Sequence, residues 1–504
     1  MPFLFVCVFS VCCTPRWPEN AVQSPDAAPV FPLYADGIHI PCNMAPLNFV
    51  LPDSVRKTFV EIGSSCAKSR LRTRQEVSFP ERFWRKATSA ARNGRTDTLR
   101  MTITTRGASG RYVRYPEIRW IVSPDTIDPY LAYRLVQPTA GAYNTLELRQ
   151  RCLENFDEKV LMSNKAMGNN CFNCHTYRNG EANQMMIHLR KPSEGSLYFH
   201  DGEIRKVVLP SAEDALKHWP DSLRMPLHFV YAAWHPQGDY IAFCTNILGL
   251  SGYTAHKQYV NLFDSASNIL LYHPGKRLVT LPPALWTTSH EETWPAWSPD
   301  GKWLYFCRAA RSDEELTRRY PQWGERVLHT HFDLCRIAFD PATGLFADTV
   351  QLLLKSDTTE SYSVPRVHPD GRHLLLCRGS FNSVPYHSAG NLQLIDLENL
   401  DEKGNPAEIL NSDECESWHE WSANGRWVVF SSKRHDGHYA APFIAYFNGK
   451  TFEKPFVLPQ RSCRFYQTNL RSFNLPVFTR DASALTPEKA ASGKQSPALE
   501  IEVR

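Results

Sequence analysis

The residues best suited to chemistry in this chain of 504 residues are Cys171, Cys174 and His175, in the run Gly168-Asn-Asn-Cys171-Phe-Asn-Cys174-His175-Thr-Tyr177. Cys-x-x-Cys-His is the attachment pattern of a c-type haem. Its two thiols add across the haem vinyl groups as thioethers, and the histidine that follows is then held beneath the iron as proximal ligand. The pattern therefore predicts one covalent haem c. Two readings compete with it. A structural zinc site usually shows a second Cys-x-x-Cys or a His-x-x-x-His, and the chain has neither. A thioredoxin-like dithiol sits at a strand-to-helix turn of a βαβ unit, whereas the flanks here are rich in Gly and Asn. Past His175 the nearest candidate iron ligands are Met185, Met186 and His188. If Met185 to Arg190 is a strand, alternation puts Met186, His188 and Arg190 on one face. His188 is then the expected second metal ligand, with Arg190 placed to meet a haem propionate; a five-coordinate iron is the alternative.

Other constellations carry less. His290-Glu291-Glu292 and His419-Glu420 pair an imidazole with carboxylates beside apolar strands, where a metal or ligand could be held. Such pairs are more often solvated or hydrogen-bonded loop groups. No G-x-S-x-G, P-loop, dinucleotide fingerprint or His-Glu-x-x-His occurs, so no catalytic signature accompanies the haem motif.

Bacterial c-type haem is attached outside the cytoplasm, and the N-terminus is compatible with export. Pro2 to Cys13 is a short apolar run with the length of a secretory h-region, although no basic n-region precedes it. A cysteine closing such a run is like a lipoprotein signal, which makes Cys12 or Cys13 the expected acylated residue; a buried strand or a misplaced start codon is the alternative. No stretch of 18 apolar residues occurs, so no membrane-spanning helix is expected. With 42% hydrophobic and 12% aromatic residues the chain is not disordered. Its 25 Gly and 36 Pro imply many turns, and the net charge of +4 is modest. Residues 55–115 are locally basic, with 15 Lys+Arg against 4 Asp+Glu. In an exported chain that composition does not indicate nucleic acid; it reads as solvated surface, or as contact with acidic lipid, glycan or protein.

Stepping outward along the chain, segments 1–13 (signal-like) and 14–45 (proline-rich tether) lead into a small β-rich domain at 46–135. There Thr98 to Thr105 and Arg111 to Tyr115 predict a hairpin, and Pro80 to Arg92 a helix with proline in its first turn. Residues 136–184 show little regular pattern apart from a helical stretch, Leu146 to Phe156. They read as a linker carrying the haem motif. From 185 to 480 the chain repeats. Ala233-Trp234-His-Pro-Gln-Gly238, Ala296-Trp297-Ser-Pro-Asp-Gly301, Arg366-Val367-His-Pro-Asp-Gly371 and Glu420-Trp421-Ser-Ala-Asn-Gly425 are each followed by an apolar strand, at a pitch of 63, 70 and 54 residues. Such sheets, unable to bury both faces alone, close into a β-propeller ring. A weaker unit begins at Met185, and Phe473 to Thr479 is a candidate closing strand, giving five units plus that strand. Cys244, Cys307, Cys377 and Ser431 fall in equivalent slots and read as buried small residues, not disulfide partners. Residues 481–504 are polar and read as disordered.

The Trp-Ser-Pro-Asp-Gly-Lys turn resembles the repeat of TolB-like propellers. The order of parts is similar to a Bacteroidetes group of exported TolB-like proteins: Ile40-Pro41…Asn43-x-Ala45-Pro46-Leu47-Asn48-Phe49, then Asp128-Pro129-Tyr130-Leu131-x-Tyr133-Arg134-Leu135, then Asn170-Cys171-x-Asn173-Cys174-His175. The resemblance implies a six-bladed propeller in the periplasm or on the outer membrane, bearing one haem motif, with other cell-envelope or redox proteins as partners. It implies no reaction. The expected role is electron transfer or sensing with the propeller as platform. The alternatives are an envelope interaction lipoprotein without haem and, more weakly, a small haem peroxidase or reductase.

Overall fold

The computed structural model describes residues 17–137, 145–190, 195–200, 202–217, 227–252, 260–311, 330–380, 390–400 and 404–504. The expected acylation sites, Cys12 and Cys13, lie outside them. Six antiparallel sheets form the ring of a β-propeller. Blade 1 pairs Tyr130–Val136, Glu147–Cys152 and Glu158–Ser163 with Ser472–Thr479 from near the C-terminus. Blade 2 runs Phe172–Tyr177, Gln184–Leu189, Ser196–His200, Glu203–Val207. Blades 3 to 6 open with Val230–Trp234, His290–Trp297, Ser361–Val367 and Glu416–Trp421. Ring closure therefore joins the two ends of the propeller within one sheet, where chain entropy is lost only once.

Three boundaries differ from the sequence reading. The segment expected as a linker is blade 1 and the first strand of blade 2, so the sixth blade that composition hid starts at Tyr130. The stretch expected as helical at Leu146 to Phe156 contains strand Glu147–Cys152. Its residues pair on both sides with neighbouring strands, half-buried and buried side chains alternating from Glu147 to Gln150, and that pairing outweighs helix propensity. The tail expected to be disordered is ordered: helix Pro487–Gln495 is capped by Thr486 and followed by two short strands. These run parallel to the outer edges of blades 2 and 3 (Lys206↔Ala498, Leu278↔Glu502), covering exposed ladder groups.

The N-terminal domain is a sheet in the order Val22–Gln23, Tyr112–Arg114, Asp97–Arg106, Lys57–Gly63, Lys68–Thr73, with Ile118–Ser123 and His39–Pro41 continuing it. The expected hairpin is present, and so is the helix, as Glu81–Ala87 plus a turn at Ser89–Arg92. The proline-rich segment is no loose tether. Tyr34, Ile38, Ile40 and Cys42 are buried in a core that continues into blades 5 and 6.

Each blade's inner strand carries the same irregularity. Pairing slips between Asn173/Thr176, Val230/Ala233, Thr293/Ala296, Ser363/Arg366 and Ser417/Glu420. Within each slip one non-glycine residue is left-handed: Cys174 (φ 55°), Tyr231 (49°), Trp294 (53°), Val364 (49°) and Trp418 (46°), with Leu475 (52°) completing the ring in blade 1. A bulge re-aims the strand and its side chain. Holding β-branched Val364 left-handed is costly, which marks a geometry imposed by ring closure. The expected equivalence of Trp234, Trp297, Val367 and Trp421 holds, three residues past each bulge. Cys244, Cys307, Cys377 and Ser431 are buried on the second strands, none in a disulfide.

Candidate functional site: the tunnel mouth

The inner strands place their bulge residues around the propeller axis. Cys174, Tyr231, Trp294, Trp418 and Leu475 all line a cavity of about 420 Å³ at the tunnel mouth, with Arg366, Glu420 and Arg480 near its rim. Cys174, Trp294 and Trp418 belong to blades 2, 4 and 6, and so stand on every other blade about the axis. The indole N–H groups of Trp294 and Trp418 are buried without a hydrogen-bond partner. Two of the equivalent outer indoles are used as pins between blades: Trp297 Nε1 donates to the Ala233 carbonyl at 3.0 Å, and Trp421 Nε1 to that of Arg366 at 3.1 Å; the Nε1 of the third, Trp234, is buried without a partner like those of the inner pair. Buried unpaired donors aimed at a cavity are expensive unless a ligand satisfies them.

Two of the three haem-motif residues are on the tunnel wall. Cys174 is the bulge residue of blade 2, and His175 also lines the cavity. His175 is buried, and burial together with the nearby Arg134 guanidinium pushes its pKa down to about 3. Its ring is therefore neutral, as a metal ligand requires. The Leu475 carbonyl lies nearby, yet neither ring nitrogen makes a hydrogen bond of ordinary geometry. The residue in the same slot of blade 6, His419, is fully used: Nε2 meets the Leu375 carbonyl at 2.9 Å and Nδ1 the Cys377 thiol at 3.8 Å. The contrast is the main sign that the blade 2 histidine has another role.

Cys171 precedes the strand and is largely buried, its thiol pushed up by desolvation against the pull of Arg134 and Arg190. Arg190 also ties the strands together, its N–H donating to the Cys171 carbonyl at 2.9 Å. Arg134 is the residue that spacing alone did not single out. It is buried, donates to the Phe172 carbonyl and Asn474 Oδ1 at 3.0 Å each, and puts its charge beside both Cys171 and His175. Its place in the block Tyr133-Arg134-Leu135 was the available signal.

His188 is not brought to the same side. It pairs with Asn173 in register, and its ring lies 5.8 Å from that of His228 ahead of blade 3. His175 instead faces Arg134 and Leu475 of blade 1. The two imidazoles occupy opposite faces of the blade 2 sheet, so His188 does not complete an axial pair with His175 in this arrangement. Both are held neutral by burial, His188 also down to about 3.

The other candidates resolve into structure. Glu292 is fully buried against Arg308 at 3.0 Å, with its carboxyl pushed up to about 8 by desolvation. Glu420 pairs with Arg366 at 3.2 Å. His368, Asp370 and His373 converge within 4.8 Å, but His368 is a turn clasp. Its Nδ1 accepts from the Asp370 N–H at 3.0 Å and its Nε2 donates to the Gly425 carbonyl at 2.8 Å. His235 makes the same clasp to Gly301 at 3.0 Å, between blades 3 and 4.

The class that these features define is a six-bladed β-propeller with a β-rich N-terminal domain. No protein-family model matches the chain, and no curated protein does either. Solved structures similar to it include an oligogalacturonate lyase from Vibrio parahaemolyticus, 9% identical over 80% of this chain and 94% of that one, TM-score 0.34. A cobalt-substituted Synechocystis ACO is 12% identical over 83% and 95%, TM-score 0.35. The propeller domain of the Trilobed protease from Pyrococcus furiosus is 16% identical over 45% and 55%, TM-score 0.24. At such identities and TM-scores no activity passes to this chain.

Proposed function

We propose that the chain is an exported propeller protein that carries one c-type haem at the tunnel mouth, with an electron-transfer or sensing role and the propeller as its interaction platform. The observation that carries this reading is the neutral, buried His175 whose ring nitrogens lack the partners its blade 6 counterpart has. The donor set fits the group. Cys171 and Cys174 would hold it through thioethers, each thiol adding its S–H across a vinyl double bond with no atom lost, and His175 would be the proximal ligand. When bound, the haem would supply one-electron chemistry. Arg134 and Arg190 would balance propionate charge, and the apolar wall of Tyr231, Leu475 and the two indoles would exclude water. Periplasmic or outer-membrane location and cell-envelope or redox partners belong to the same proposal. No residue is assigned a catalytic role.

A second reading has its own support: His175 and His419 share a slot, and His419 is purely structural. On that reading the protein is an interaction platform without haem, its cavity open to another ligand. Expression with haem-ligation machinery, haem staining of a denaturing gel and a pyridine haemochrome spectrum separate the two. The first requires covalent haem in wild type, a single thioether in Cys171→Ala or Cys174→Ala, and an altered iron environment in His175→Ala. Unstained wild type eliminates it.

A further inference from the structure

One face of the N-terminal sheet has no role in the tunnel site. Register identifies its residues, since directly paired residues share a face. Lys57 pairs with Arg106 and Arg106 with Tyr112; Arg72 pairs with Phe59, Phe59 with Thr104 and Thr104 with Arg114. Lys68 pairs with Gly63, Gly63 with Arg100 and Arg100 with Arg119. The opposite face, with Val60, Ile62, Leu99, Met101 and Ile103, is buried core.

The outward face is thus a flat array of cations on a twisted sheet. Three are matched by carboxylates: Arg70 with Glu61, Arg100 with Glu117 and Arg119 with Asp36. Among the described residues, no carboxylate forms an ion pair with Lys57, Lys68, Arg72, Arg106 or Arg114. The guanidiniums are braced on rings, Arg72 over Phe59 at 5.8 Å and Arg106 over Tyr112 at 5.5 Å.

Trp17 lies on this same face, its ring 5.2 Å from Phe59 and under Arg70. It lies only four positions past Cys13, the end of the apolar run Pro2 to Cys13. Four residues span at most about 14 Å. The expected acylation site Cys13 is therefore tied within that distance of a tryptophan on a basic face, and a bilayer satisfies all three.

We propose that the outer face of the N-terminal sheet docks on an anionic membrane surface, beside the point at which an acylated Cys12 or Cys13 would anchor the chain. The partner is a bilayer rather than an acidic glycan or a nucleic acid strand, because neither of those would take up an acylated cysteine. This inference is independent of the haem. Docking of this kind would orient the propeller relative to the membrane through the sheet.

The test is co-sedimentation of the full chain with vesicles of phosphatidylcholine alone and of phosphatidylcholine mixed with phosphatidylglycerol, at low and high salt. Preferential binding to the mixed vesicles, weakened by salt, is expected. Lys68→Gln, Arg72→Gln and Arg114→Gln together should weaken that binding on the order of a hundredfold. Lys276→Gln, Lys302→Gln and Lys489→Gln, a matched set on the propeller and tail, should leave it unchanged. Equal binding to both vesicle types, or binding insensitive to salt, overturns the proposal without any variant. So does tight binding to alginate or single-stranded DNA with none to mixed vesicles.

Discussion

Replacing His419 by Leu gives a stability effect that depends on pH in a calculable way. His419 is buried in the seam between blades 5 and 6, and desolvation, with Arg366 adding to it, lowers its pKa from 6.5 to about 3. A histidine that folds neutral contributes stability that is present above its unfolded pKa and is lost as pH falls toward the folded value. Between about pH 7.5 and about pH 5 the unfolded chain takes up a proton that the native chain refuses. That costs wild type about 2 kcal/mol from this residue. His419→Leu removes the titration but also the 2.9 Å bond to the Leu375 carbonyl, worth about 1 kcal/mol. Wild type should therefore be the more stable protein near pH 7.5. Near pH 5 the gap should close or reverse, since other titrating groups such as Glu292 act equally on both chains. Urea unfolding followed by tryptophan fluorescence at the two pH values measures the gap. The same gap at both would mean that His419 protonates in the fold, and the seam would not be the dry environment described here.

Arg308→Leu should act with the opposite pH dependence. The Glu292 carboxyl, raised to about 8, contributes stability below its ordinary value that is lost as pH rises through 8. Without Arg308 the carboxyl should stay protonated past pH 9, so the loss there should grow by at most about 1.4 kcal/mol, while thermal unfolding near pH 5 should change far less. Trp421→Phe and Trp297→Phe each delete one cross-blade hydrogen bond and should cost about 1 kcal/mol apiece in denaturant unfolding, additively, because the seams are separate. Truncation after Arg480 should uncover the outer edges Glu203–Val207 and Leu278–Thr280. Light scattering during size-exclusion chromatography should then show association absent from the full chain.

The four strongest repeats were legible because a Pro-Asp-Gly type turn with an apolar strand after it is a local signal. Blade 1 was not, because its strands lack that turn and its inner strand, Ser472–Thr479, comes from more than 300 residues away. The same nonlocality hid the inner strand of blade 2. Phe172–Tyr177 reads as a Gly/Asn-flanked loop until its pairing with Gln184–Leu189 is known. The motif residues themselves were legible from spacing, and so was the alternation that sends Met186 and Met185 to different core clusters. Alternation could not say which neighbour each face meets. Blade 1 lies against one side and blade 3 against the other, which is why His175 and His188 part company. Arg134, Trp294 and Trp418 acquire meaning only from the ring, since blades 2, 4 and 6 meet at the axis through no sequence neighbourhood.

The central claim is that Cys174 and His175 on the tunnel wall, with Cys171 beside them, hold a haem. The most direct measurement is the intact mass of the protein after maturation in a periplasm competent for c-type haem, read under denaturing conditions that strip any non-covalent group. The expected result is the polypeptide plus one haem, localised by peptide mapping to the fragment that contains Cys171 and Cys174. A mass equal to the bare polypeptide, with both thiols alkylatable, would contradict the claim and leave a propeller whose tunnel mouth serves another ligand.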